Sequence, residues 1–320
     1  MTTLSHIAGA TGTLDLTGRN AVVVGGTQGI GASVALLLHS KGSNVVITGR
    51  NPARADEVIR AASANQDRGQ KIEFLSADTS LVSECRRIAE EVPRMNGGAV
   101  DRAGLHYLVL CAGGLAFRGA KLTKEGNETA FMTNVASRFA IPSLLHPYLN
   151  RAVPRGTVLN ISGAGNGFRA PDLDDLQLQK PGAFGTLAAA NIASQVNDVV
   201  AKEWARREGE GGVRYLHAFP GLVMTNGPEN NNMPFPLPFL YNLYRPILPY
   251  IPFLGASTPE TYARTAVYAL TNPDGTLPNG ALVQKVDVKV VEGSKWSKEE
   301  GRTKEVAERV WAYLRTVTGV

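Results

Sequence analysis

Short apolar runs alternate along this chain with longer stretches in which apolar residues recur every three or four positions. Ala21–Val24, Val45–Thr48, Lys71–Leu75, His106–Leu110, Thr157–Ile161 and Val213–Phe219 are the short runs. Their length and β-branched content suit strands of a buried parallel sheet. Between them, Ile30, Val34, Leu37 and Leu38 fall at helical spacing, and Arg54 to Ala64 reads as a second helix. Strand and helix in turn predict an α/β class with a doubly wound parallel sheet. Further on, Pro259 to Leu270 predicts a helix capped by Ser257-Thr258, and Leu282 to Val291 a seventh strand or strand pair. From Glu299 to Val320 the chain is amphipathic, with Val306, Val310, Tyr313, Leu314 and Val317 on one face. Residues 1–17 are small and polar and are expected as a loose arm. No repeat or linker divides 18–320, so one domain is expected there.

The first strand runs into Gly25-Gly26-Thr27-Gln28-Gly29-Ile30-Gly31. Glycine suits a tight turn whose backbone angles oppose a side chain, and it lets the main chain approach a pyrophosphate. The following helix offers that anion its unpaired N–H groups and the positive end of its dipole. This makes the sheet Rossmann-type, with Gly25, Thr27, Gln28, Gly29, Ile30 and Gly31 as dinucleotide contacts. The second strand ends in Gly49-Arg50-Asn51, where an acid would bind a ribose 2′-OH. Arginine there suits a 2′-phosphate instead, so Arg50 and Asn51 point to NADPH/NADP. Asp78-Thr79 closes the third strand, where Asp78 either accepts from an adenine amino group or caps a helix starting near Ser80. Cys111-Ala112-Gly113 after the fourth strand is small enough to leave room for a ribose.

Charge and composition remove several alternatives. The net charge of +5 is spread out, with no basic cluster and no aromatic interleaving of nucleic-acid type. Two cysteines, Cys85 and Cys111, support neither a disulfide framework nor a metal site, and with no signal-peptide pattern a cytoplasmic location is expected.

The order of these motifs resembles the short-chain dehydrogenase/reductase family. The resemblance continues through Thr133-Asn134-Val135-Ala136-Ser137, the serine-bearing strand end Asn160-Ile161-Ser162-Gly163, and Phe219-Pro220-Gly221-Leu222-Val223-Met224-Thr225. It implies that Pro220, Gly221, Val223 and Thr225 hold a nicotinamide and that Asn134 stands at the catalytic helix asparagine, while Ser162, next to the serine position and facing the other way if the strand alternates, is the candidate catalytic substitute. Asp174-Asp175-Leu176 and His217-Ala218-Phe219-Pro220-Gly221 also resemble a divergent fungal branch.

The usual chemistry of that family needs a tyrosine proton donor, a lysine four residues on and a serine. At the aligned positions stand Phe184, Ala188 and Gly163, and a register two residues later reads Thr186 and Ala190. Ser162 hydrogen-bonds either substrate or backbone. Asp172, Asp174, Asp175, Arg169 and His217 lie near the expected cleft, each with an ordinary structural role as the alternative.

Residues 226–258 are the strangest stretch: Met233 to Gly255 holds six prolines and one charge, Arg245. Proline at that density excludes a long helix or a central strand. A lid over a large hydrophobic substrate is expected, carrying Tyr241, Tyr244 and Tyr250; a dimer contact or peripheral membrane contact through 233–255 is the alternative. Three functions therefore stand open. They are an atypical NADPH-dependent reductase of polyketide, terpenoid or alkaloid type in secondary metabolism, a redox-neutral cyclase, isomerase or dehydratase, and a catalytically silent NADPH-binding protein.

Overall fold

A computed structural model describes residues 2–64, 69–117, 119–225, 256–293, 296 and 304–320. In chain order the elements are α1 (Leu4–Gly12), β1 (Asn20–Val24), α2 (Gly29–Ser40), β2 (Asn44–Gly49), α3 (Pro52–Ser63) and β3 (Ile72–Ser76). Then come α4 (Val82–Glu91), α5 (Met95–Ala103), β4 (Tyr107–Leu110) and the short α6 (Thr129–Phe131), which passes through a π turn (Met132–Ala136) into α7 (Ser137–Arg151). The chain continues with β5 (Thr157–Ile161), α8 (Thr186–Glu208), β6 (Arg214–Phe219), α9 (Pro259–Thr271), β7 (Leu282–Gln284), β8 (Lys289–Val291) and α10 (Lys304–Thr318).

Among the described residues eight strands form one sheet in the order β3-β2-β1-β4-β5-β6-β7-β8, parallel except for the β7–β8 pair. The chain winds outward from β1 to β3, then returns to β4 beside β1 and winds the other way. That reversal opens a crevice at the carboxyl ends of β1 and β4. Alternate residues of β1 face opposite layers: Val22 and Val24 pack with α4, α7, α8 and α10, and Ala21 and Val23 with α1, α2, α3 and α9. All five β1 residues are buried, as a strand covered on both faces requires.

Two expectations change. Residues 4–12 are a helix rather than a loose arm. Thr3 caps it by accepting from the His6 backbone N–H, and Ile7 is buried under α9. Leu4 and Ile7 in an otherwise small and polar stretch are a faint sequence signal, and tertiary contact supplies the rest of the stability. The helix expected near Ser80 begins at Val82, and its first N–H groups are capped from a distance. Glu125 accepts from Val82 N at 2.6 Å and Ser83 N at 3.1 Å. The expected C-terminal helix is described over Lys304–Thr318. The proposed lid falls almost wholly outside the described residues, with Tyr241, Tyr244 and Tyr250.

Candidate functional site

Backbone meets backbone at the crevice. Gly25 has φ +84°, and a Cβ there would lie 2.5 Å from the amide nitrogen of Ala112. Gly25 and Gly26 both donate to the Thr48 carbonyl at 3.0 Å, while Cys111 and Ala112 donate to Val24 at 2.8 and 2.9 Å. The turns after β1, β2 and β4 are thus one hydrogen-bonded assembly. Gly31 closes it from the helix side, since a Cβ there would lie 2.2 Å from the Gly25 carbonyl oxygen. Gly29 has φ +53°, with the Thr225 methyl 3.3 Å from its missing Cβ position. Gln28 is the N-cap of α2 but makes no side-chain cap bond, and its Oε1 is buried without a partner among the described residues. A cradle free of Cβ atoms, an open helix N-terminus and an orphaned acceptor fit a dinucleotide pyrophosphate and its ribose.

At the outer end a cavity of about 630 Å³ is lined by Arg50, Leu75, Ser76, Ala77, Asp78, Glu84 and Arg87. Arg87 is committed to Glu84, Glu91 and the Ser76 carbonyl, whereas Arg50 is exposed. Asp78 accepts from the Ser80 N–H at 3.0 Å, a local turn rather than the cap of α4. Asn51 caps α3 through Oδ1, which accepts from Arg54 N at 3.2 Å. Thr79 is buried beside them. Cys111, under the middle of the cleft, has its thiol pushed up to about 12 by burial, which leaves it no nucleophilic thiolate near neutral pH.

Asn134 holds the inner end. Its Oδ1 accepts from Gly114 N at 3.0 Å, and its Nδ2 donates to the carbonyls of Gly114 and Ala130 at 3.2 and 3.0 Å. With Gly113 too close for a Cβ (2.1 Å from Asn134 Oδ1), this pins the loop after β4. Asn197 Nδ2 on α8 donates to the Asn134 carbonyl, within the π turn, at 2.9 Å. These bonds make Asn134 a positioning residue in this geometry.

Ser162 leaves β5 with its N–H donated to Ala218 at 2.7 Å, and its residue is half-buried. The next carbonyl, of Gly163, accepts from Ser194 Oγ at 2.5 Å. Phe184 precedes Gly185, the N-cap of α8, and Ala188 lies in the first turn. Within α8, a helix of 23 residues, there is no tyrosine, and its lysine is Lys202, far from the first turn. Thr186 Oγ1 donates to the Ala116 carbonyl at 2.7 Å, which joins the start of α8 to the loop after β4. Pro220, Gly221 and Val223 continue from β6, where Val223 pairs with Ser257 and Gly221 has φ +75°.

The acids and His217 are engaged structurally. Asp172 pairs with Lys180 and Asp174 with Arg309, and Asp175 accepts from the Gln179 and Lys180 N–H groups. His217 is fully buried, with Nδ1 2.8 Å from Asp198 Oδ1. Asp198 also accepts from Gly165 N, while Asn191 Oδ1 accepts from Phe168 N and Arg169 N. Thus α8 grips the loop after β5 from beneath. Sequence reasoning passed over Asn191, Ser194, Asn197 and Asp198. Their signal was polar residues on the face of a helix whose residues 191–201 are all buried. It also passed over Arg138, buried beneath the loop after β4.

A family model for short chain dehydrogenases matches residues 19–170. The oxidoreductase calI of Penicillium decumbens is 29% identical over 206 residues, covering 63% of this chain and 58% of that protein. A short-chain dehydrogenase/reductase of Armillaria gallica is 30% identical over 218 residues, covering 66% of this chain and 67% of that protein. The chain thus spans about three fifths to two thirds of the length of these relatives. A short chain dehydrogenase from Burkholderia cenocepacia, solved in complex with NADP, superposes with a TM-score of 0.61 at 20% identity, covering 84% of this chain and 97% of that one. On the motif order, the sheet topology and these similarities, the chain belongs to the short-chain dehydrogenase/reductase family of oxidoreductases.

Proposed function

We propose that the protein is an atypical NADPH-dependent reductase of a large hydrophobic small molecule of polyketide, terpenoid or alkaloid type, acting in the cytoplasm in secondary metabolism. The observation that carries the cofactor half is the cradle at Gly25, Gly29 and Gly31 with the orphaned Gln28 Oε1. Arg50, exposed beside a cavity of about 630 Å³, supports the 2′-phosphate over a free 2′-OH. For the substrate half, Leu115, Phe168, Leu187 and Leu222 are 47–71% exposed although large and apolar. All four lie on segments leaving the carboxyl edge of the sheet, after β4, β5 and β6 or at the start of α8. Apolar side chains gathered there suit an apolar ligand.

A bound nicotinamide supplies the hydride. The protein binds and orients: the glycine turn and the α2 N-terminus take the pyrophosphate, the Asn134-pinned loop borders the ribose, and the apolar residues displace water. Ser162 stands at the strand end where it holds a substrate oxygen. Since α8 offers neither tyrosine nor lysine near its start, the proton comes from water or another group, and this favours an activated acceptor such as an enone or iminium. The same absence supports a second reading, a redox-neutral cyclase, isomerase or dehydratase that uses the cofactor cleft to fold or deprotonate its substrate.

Fluorescence titration with NADPH and NADH, beside Arg50→Ala, is the test. Preference for NADPH that collapses in the variant is expected, followed by NADPH consumption with hydrophobic enones. NADPH binding without consumption across enones and imines leaves the redox-neutral enzyme and the catalytically silent NADPH-binding protein; no nucleotide binding overturns the reductase and points to a cofactor-free cyclase or isomerase.

A further inference from the structure

Arg138 is a buried cation without an anion among the described residues. The residue is 4% exposed and sits at the start of α7, just after the π turn. Nη1 donates to the Leu110 carbonyl at 3.0 Å, the Ile161 carbonyl at 2.7 Å and Asn160 Oδ1. Nη2 donates to the Ala112 carbonyl at 2.5 Å, and Nε has no partner among the described residues. Every acceptor is neutral, and no salt bridge reaches Arg138 among the described residues. The ionisable groups that feel its charge are Cys111 and Tyr215. Burial keeps both protonated, so neither supplies a negative charge. Burial also lowers the guanidinium pKa, but arginine starts so high that it stays charged.

The charge lies just under the cleft. A Cβ added to Gly113 would be 3.2 Å from Arg138 Nη2, and Gly113 itself is exposed on the cleft side. An unneutralised charge in a poorly polarisable setting acts on whatever binds above it. We propose that Arg138 makes the cleft discriminate the redox state of its cofactor, favouring the reduced, uncharged nicotinamide over the oxidised, cationic one. The inference rests on the NADPH reading above. Its physical content is narrow: both cofactor forms carry the same phosphates, riboses and adenine, so the ratio of their affinities cancels those contacts and leaves the ring charge. A cleft biased this way releases oxidised cofactor readily and favours the reductive direction.

The experiment measures dissociation constants of NADPH and NADP⁺ by calorimetry for the full chain and three variants. Asn160→Asp places a carboxylate on Arg138 Nη1, cancelling the charge with the fork left in place. Arg138→Lys keeps the charge and loses the fork. Arg138→Gln removes the charge by a second route, should the aspartate variant fail to fold. A unit charge roughly 10 Å from another, at an effective dielectric of about 20, shifts an equilibrium by about ten-fold. The NADP⁺/NADPH ratio of dissociation constants should therefore fall by about ten-fold in Asn160→Asp and Arg138→Gln, and stay within about two-fold of the parent in Arg138→Lys. An unchanged ratio in the two charge-cancelling variants overturns the inference while the cofactor reading stands. A ratio that falls equally in all three also overturns it, since Arg138 would then be a clip between β4 and β5. If the parent binds neither nucleotide, this inference falls together with the proposed function.

Discussion

Gly31→Ala sets helix propensity against tertiary packing and lets the structure choose the sign. Gly31 lies in the first turn of α2, where alanine would raise helix stability by about 1 kcal/mol over glycine. The structure predicts a loss. The new Cβ would stand 2.2 Å from the Gly25 carbonyl oxygen and 2.9 Å from its carbon. That neighbour is backbone, and it is already tied to Thr48 and set against Ala112, so it has nowhere to swing. Relief requires the β1–α2 turn to open by roughly 1 Å, and overpacking of this kind costs about 1–3 kcal/mol. With a rigid contact the upper end applies, so the net destabilisation is about 2 kcal/mol after the propensity gain. Urea unfolding followed by tryptophan fluorescence reads it directly. Gly9→Ala is the control, since Gly9 is exposed within α1 and nothing lies within 4 Å of its Cβ position. It should gain up to about 1 kcal/mol. Nucleotide affinity should drop at least about ten-fold in Gly31→Ala and not at all in Gly9→Ala, because only the first moves the cradle. A Gly31→Ala protein as stable as its parent, with unaltered binding, would refute the packing argument.

Three further outcomes follow from burial and charge. His106 has its pKa lowered to about 4, by burial first and the Arg19 charge second, and its Nδ1 accepts from Asn20 N at 3.1 Å. Between its ordinary value and about 4 the unfolded chain takes up the proton first, so stability is lost as pH falls through that window, by up to about 3 kcal/mol; urea midpoints at pH 7 and 4.5 should show it, with a shallower drop in His106→Gln. Cys85 and Cys111 both have thiols pushed up to about 12 by burial. A thiol reagent at pH 8 should therefore leave the native chain nearly untouched and label both cysteines in denaturant; fast native labelling would contradict the burial. Trp311 on α10 packs edge-on against Phe139 at 4.8 Å with the Arg207 guanidinium 4.4 Å from its ring. Trp311→Ala should cost about 3 kcal/mol, whereas Arg309→Ala, which breaks an ion pair whose side chains are 52% and 74% exposed, should cost under about 0.5 kcal/mol.

The alternation of β-branched runs with helical periods was enough to determine the α/β class, the buried parallel strands and the place of the glycine turn. All of these depend on short-range patterns that the chain carries locally. The placement of Arg50, Gly113 and Pro220-Gly221 just past strand ends was legible for the same reason, because the pattern marks where each strand stops. Tertiary structure alone decided the rest. Glu125 caps α4 from a loop far along the chain, and Ile7 turns a polar arm into a docked helix. Asn197 donates to the Asn134 carbonyl from another helix. Arg138 on α7 proves to lie beneath the cleft with only neutral partners among the described residues. Hydrophobic period reports which face of an element is buried, but a polar group inside that face takes its meaning from partners distant in sequence. Those partners meet only when the sheet and its two helical layers close.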